Sequence, residues 1–91
     1  MPSTWYLYIL RGADSRLYTG IATDVVRRFS EHAAQGRRCA RSLRGRLPLE
    51  LVFVAQVGTR SAAARTEARI RGLPRARKLR LITGQVSLED A

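Results

Sequence analysis

Along this chain the apolar positions change period, and each change predicts an element. The run Trp-Tyr-Leu-Tyr-Ile-Leu, Trp5 to Leu10, is continuously apolar and aromatic up to Arg11, and Leu17 to Ala22 alternates around Tyr18 and Gly20. Both read as β-strands, and the turn-like segment Arg11-Gly12-Ala13-Asp14-Ser15-Arg16 between them makes the pair a hairpin. Side chains on a strand alternate faces, so Tyr6, Tyr8 and Leu10 share one face, as do Tyr18 and Gly20. With those faces on one side, the two phenols look across a single surface. Gly20 is expected to leave room there for a ligand backbone.

After Asp24, which reads as an N-cap, the spacing becomes helical. Val25, Val26, Phe29 and Ala33 form the expected buried stripe of a helix ending near Gly36. His32 falls inside the edge of that stripe and Arg28 just beyond it. Leu49 to Val57 is rich in β-branched and aromatic residues and predicts a third strand. Gly58-Thr59 turns the chain and caps a helix from Arg60 to Gly72, whose apolar side is Ala63, Thr66, Ile70 and Leu73. Pro74 stops it and opens a last helix, Arg75 to Thr83, ended by Gly84. The order β-β-α-β-α-α predicts an α+β domain: a small, three-stranded, mostly antiparallel sheet flanked by helices. Ninety-one residues suffice for one modest core, placed in residues 1–84, with 85–91 expected as a flexible polar tail.

Charge narrows the function. Seventeen Lys+Arg stand against 7 Asp+Glu, a formal charge of +10, and Lys78 is the only base that is not arginine. Guanidinium groups bind phosphate bidentately and stack on bases, so the expected partner is a polyanion, with nucleic acid first. Arg37, Arg38, Arg41, Arg44 and Arg46 crowd a loop with one helical turn, suited to hold phosphates without reading sequence. No long amphipathic helix carries the charge to a membrane surface. The opening apolar run is too short to span a bilayer and lacks the basic start of a signal peptide. A lone Cys39 supports neither a disulfide framework nor a cysteine metal site, and fits the cytoplasm, the expected location.

Glu67 has two readings. It is the only acid between Glu50 and Glu89. It can be a helix-surface carboxylate paired with Arg71 at i+4. It can also be a ligand for a hard divalent cation, since Mg²⁺ is commonly held by one or two carboxylates, waters and phosphate oxygens. Taken singly, Tyr8 and Tyr18 are large strand residues with hydroxyls at the rim, Arg28 is a surface charge and His32 a satisfied helix histidine.

Taken together, Tyr6-Leu7-Tyr8, Tyr18-Thr19-Gly20, Asp24-x-x-x-Arg28-x-x-x-His32 and a helical Glu67 resemble the GIY-YIG nuclease family over about residues 4–82. The likeness is greatest to its short stand-alone bacterial members, the YhbQ-like proteins. The resemblance implies metal-dependent hydrolysis of a phosphodiester. Tyr18 would act as general base or activator of the attacking water. Tyr8 would line the site and hydrogen-bond water or phosphate. Arg28 would neutralise the scissile phosphate, His32 would assist the nucleophile or its proton, and Glu67 would be the sole protein ligand of Mg²⁺ or Mn²⁺. Phosphodiester hydrolysis builds negative charge on phosphorus-bound oxygens, which a guanidinium and a metal suit. A free phenol is a poor base at neutral pH, and nearby Arg28 would favour the phenolate.

Two positions depart from the family pattern. Ile21 stands where some members carry lysine, and the chain has no asparagine on the last helix, where Lys78 is the candidate for the phosphate contact. These residues imply a cytoplasmic DNA endonuclease of repair or recombination, its target set by shape, strandedness or a protein partner. The rival readings are a catalytically weak nucleic-acid-binding module and a basic RNA- or ribosome-associated protein. The nuclease reading requires Tyr18, Arg28, His32 and Glu67 to converge in one cleft.

Overall fold

In the computed structural model, which describes residues 3–91, both hairpin strands form where the pattern puts them. Strand β1 is Trp5–Arg11 and β2 is Leu17–Ala22; helix α1, Val25–Ala33, follows, then a single 3-10 turn at Arg41–Leu43. Strand β3 is Glu50–Gly58, and helices α2, Arg60–Arg71, and α3, Arg75–Ile82, complete the order. The sheet order is β2-β1-β3, with β1 antiparallel to both neighbours. This explains why β1 is apolar up to Arg11: it is the central strand, and Leu7, Tyr8, Ile9 and Leu10 are all buried. No helix among the described residues is long and apolar enough to cross a membrane.

The two faces of β1 build two cores. Tyr8 and Leu10 pack with Ala22, Cys39 and Leu43, covered by Val25 and Phe29 of α1. Leu7 and Ile9 pack on the other face with Ile70 of α2 and Leu81 of α3. Register puts Tyr8 opposite Gly20 and Leu10 opposite Tyr18, so both tyrosines lie on the α1 side, as the alternation predicts. The hairpin turn is closed by its own polar groups. Gly12 N–H donates to the Arg16 carbonyl at 3.0 Å, and the Asp14 carboxylate accepts from the Arg16 amide at 3.1 Å.

Four expectations change. Helix α1 stops at Ala33, short of Gly36, because Gln35 takes a positive φ of 57° and leaves the helix. Its amide then staples the following loop, donating to the carbonyls of His32 and Leu43 and accepting from Gly45 N–H at 2.7 Å. The buried stripe of α1 is also narrower than the wheel suggests: Val26 is 74% exposed and His32 is the buried residue of the helix. Residues 85–91 are not a loose tail. Val86, Leu88 and Ala91 pack on the Leu7–Ile9 core, and Arg69 holds the carbonyls of Leu88 and Ala91.

The fourth change concerns Gly20. A Cβ there would lie 2.5 Å from both Cζ and Oη of Tyr8. The space is therefore filled by the Tyr8 phenol and is not open to a ligand backbone. Gly20→Ala must displace a buried ring, with an expected loss of about 1–3 kcal/mol in urea denaturation. An unchanged midpoint would mean that Tyr8 has room elsewhere.

Candidate active site

Around Tyr8 the sheet and α1 assemble a compact polar cluster. Helix α1 starts on the Asp24 cap, whose carboxylate accepts from Arg27 N–H at 3.0 Å. Its last turn then brings His32 over the strand face. His32 Nε2 lies 3.0 Å from the Tyr8 hydroxyl, and both side chains are essentially without solvent access, at 0% and 1%. The backbone N–H of Ala40 donates to His32 Nδ1 at 3.2 Å. This assigns the tautomer by hydrogen-bond logic: Nδ1 is the acceptor, so Nε2 carries the proton and donates it to the Tyr8 oxygen. Tyr18 packs against both, with ring centroids 6.3 Å from Tyr8 and 5.4 Å from His32. Of the three rings, only that of Tyr18 reaches the surface, where it lines a hollow with Leu17, Thr19, Ser42, Arg71 and Lys78.

The electrostatics follow from this burial. Desolvation pushes the Tyr8 phenol well above its ordinary value; neighbouring Tyr18 adds to the rise and Arg28 offsets part of it. Tyr8 is therefore a neutral phenol at physiological pH. Desolvation likewise lowers His32 to about 4, with Arg28 adding to the fall and Glu31 opposing it. Arg28 donates from Nη1 to the Arg38 carbonyl at 2.7 Å and to Glu31 at 3.1 Å. Burial alone would lower the Arg28 pKa, but Glu31 and the tyrosines more than offset this and raise it. Glu31 is held below the usual carboxylate range, first by its bond from Arg28 and then by Arg38, 3.1 Å away. Arg28, Glu31 and Arg38 thus form a linked group with one net positive charge beside the tyrosines.

Tyr8, Tyr18, Arg28 and His32 are therefore brought together. Glu67 arrives differently. Helix α2, which carries Glu67, packs on the face opposite Tyr18, and among the described residues Glu67 is tied to the edge strand β2 only through Arg71. One Arg71 nitrogen sits 3.2 Å from the Glu67 carboxylate and 3.1 Å from the Thr19 carbonyl, next to Tyr18 in sequence. The i+4 pair with Arg71 is thus formed. Among the described residues no group of three or more His, Cys, Asp or Glu gathers where it could hold a metal ion.

The loop arginines divide by role. Arg38 serves Glu31, Arg44 donates to the Gly36 carbonyl at 3.0 Å, and Arg46 pairs with Asp14 at 3.4 Å. Arg37 and Arg41 are exposed and without a side-chain partner among the described residues. Sequence reasoning missed Glu31, Gln35 and the Ala40 amide. The i, i+3 spacing of Arg28 and Glu31 was a usable signal, whereas nothing local announces Gln35 or Ala40.

With fold and site in view, the family is settled: the GIY-YIG catalytic domain model matches residues 4–80, and the chain belongs to that nuclease family. Within it, the chain is similar to the UPF0213 protein YhbQ of Salmonella arizonae, 52% identical over 86 residues, covering 94% of this chain and 84% of that one. It is also similar to the UPF0213 protein of Cronobacter sakazakii, 48% identical over 85 residues, covering 93% and 87%. A solution NMR structure, that of the UPF0213 protein BH0048 from Bacillus halodurans, shares the fold with a TM-score of 0.56 and 36% identity, covering 88% of this chain and 83% of that one.

The chain's single histidine makes the buried pair testable. Unfolded, the imidazole titrates near 6.5; folded, at about 4. The unfolded state therefore binds a proton first as pH falls. The contribution of His32 to stability is full above 6.5 and is lost as pH drops toward 4. Urea denaturation should show this decline, and His32→Gln should remove it. The ring nitrogen shifts should report Nδ1 unprotonated at neutral pH. A midpoint near 6.5 would mean a solvated imidazole and would contradict the burial.

Proposed function

We propose that this protein is a metal-dependent endonuclease that hydrolyses phosphodiester bonds, in DNA first, in the service of repair or recombination. The observation that carries the reading is the presentation of Tyr18. Its ring is backed by the buried Tyr8–His32 pair, flanked by Arg28, and set on the edge strand whose Thr19 carbonyl accepts from Arg71, the partner of Glu67. In this reading a phosphodiester lies against Tyr18, whose hydroxyl activates and orients the attacking water. Arg28 neutralises charge that grows on the non-bridging oxygens. Its linkage to Glu31 and the Arg38 carbonyl fixes the guanidinium before substrate arrives, so little ordering remains to be done.

His32 takes a different part from the one its family position implies. It is buried and neutral, its Nδ1 is occupied by Ala40, and its proton faces Tyr8. It positions Tyr8, and through it Tyr18, and does not collect a proton from water. Tyr8, closed off beneath Tyr18, supports the reacting phenol from below.

Glu67 would hold the Mg²⁺ or Mn²⁺. One hard carboxylate suits such a cation when waters and substrate oxygens supply the other positions, provided the Arg71 pair yields. The cation would stabilise charge on the phosphate and the leaving oxygen. The second reading, a nucleic-acid-binding module with weak catalysis, is favoured by one observation: Glu67 and Arg28 are each already matched by an opposite charge, Arg71 and Glu31.

Cleavage of supercoiled plasmid, single strand and branched duplex, each with Mg²⁺, Mn²⁺ or EDTA, separates the readings. The nuclease reading expects the wild type to cut at least one DNA substrate only with metal, and Glu67→Ala to bind without cutting. If both proteins bind and neither cuts, the binding module replaces the nuclease. Cutting confined to RNA would move the substrate assignment.

A further inference from the structure

Beside Tyr18 the strand-free edge of β2, with Leu17 half-buried and Thr19 buried, forms the floor of a trough. Two adjoining hollows share Leu17 and Lys78. The first contains Tyr18, Thr19 and Arg71; the second contains Arg16, Arg46 and Arg75. Together they run from Tyr18 to the hairpin turn. One wall is α3 with Arg75 and Lys78; the other is the loop with Ser42 and Arg46.

The floor offers backbone donors. The Thr19 carbonyl faces away from β1, since it accepts from Arg71. In an antiparallel ladder a residue whose carbonyl points outward also points its N–H outward, and the same holds two residues away. Thr19 and Leu17 therefore both direct N–H groups toward the trough.

No acidic side chain lines it. Asp14 sits at the hairpin end and pairs with Arg46 at 3.4 Å and, loosely, with Arg16 at 3.8 Å, while Glu67 pairs with Arg71. Lys78 and Arg75 have no acidic partner among the described residues. Lys78 is half-buried where the hollows meet, which desolvates part of its stem and leaves the ammonium for a ligand.

We propose that this trough seats the sugar–phosphate backbone of the nucleic-acid strand flanking the phosphodiester at Tyr18. Lys78, Arg75 and the outward amides of Thr19 and Leu17 supply the phosphate contacts. The proposal rests on the nuclease reading only for the placement of the reacting phosphate. Contacts of this kind fix position and are indifferent to base sequence. The strand then leaves the site past the hairpin turn. The five loop arginines are not the main clamp: of them, only Arg46 lines the trough.

Binding of a short oligothymidylate in EDTA, followed across salt concentrations, tests this apart from cleavage. Lys78→Gln, Arg75→Gln and their combination are compared with Arg65→Gln and Arg80→Gln, which remove the same charge outside the trough. Each trough variant should weaken binding several-fold and flatten the dependence of log affinity on log salt by about 0.7 per charge removed. The outside variants should change both much less. Equal losses in both sets, or no binding by the wild type, would overturn the trough. Arg75 is exposed, so its variant reads binding even if Lys78→Gln is unstable. A wild type that binds through the trough and never cuts with metal would sink the nuclease reading alone.

Discussion

One hydrogen bond, from His32 to the Tyr8 hydroxyl, governs the site. It is buried on both sides, so an unpaired partner would cost the full desolvation penalty of that group, about 1–3 kcal/mol. Three otherwise unrelated features serve it. Gly20 omits the side chain that would occupy the place of the Tyr8 phenol. The Ala40 amide fixes which imidazole nitrogen carries the proton. Gln35, leaving the helix at positive φ, ties His32, Leu43 and Gly45 so that Ala40 arrives where it is needed. Tyr18 then rests on a floor that is buried, hydrogen-bonded and neutral at physiological pH.

Arginine has a double use in this molecule. The net charge of +10 suggests a surface given over to phosphate. Many of those guanidinium groups instead cross-link the fold: Arg28 and Arg38 on Glu31, Arg46 on Asp14, Arg44 on the Gly36 carbonyl, Arg69 on the C-terminal carbonyls, Arg71 between α2 and β2. A planar fork with several donors makes such staples with less lost freedom than lysine would. What remains for a polyanion is smaller and more localised than the composition implies, and it includes the single lysine.

Much of this was legible in the sequence for definite reasons. The period-two and period-3.6 patterns gave β1, β2, the start of α1 and the two last helices close to their observed bounds, because caps such as Asp24 and Thr59 and the proline at 74 act locally. Alternation also placed Tyr8 and Tyr18 on one face. Depth was not legible. A helical wheel cannot tell that α1 meets the sheet along the line of His32 and leaves Val26 in solvent, since that depends on the crossing of helix over sheet. For the same reason Tyr8, expected to touch water or phosphate, lies beneath Tyr18. Glu67 makes the i+4 pair with Arg71 that its spacing predicts, but the place where that pair meets β2, at the Thr19 carbonyl, depends on sheet order, which spacing alone does not give.

In the proposed mechanism Tyr18 is the reacting group and Tyr8 and His32 are its support. The rate of phosphodiester cleavage in a single turnover by Tyr18→Phe, beside the wild type and at saturating metal, tests this most directly. Losing one hydroxyl from a half-buried ring, the variant should fold and bind oligonucleotide as the wild type does, while cleavage falls about 100-fold or more. A Tyr18→Phe protein that cuts at the wild-type rate would show that the chemistry lies elsewhere and would contradict the account.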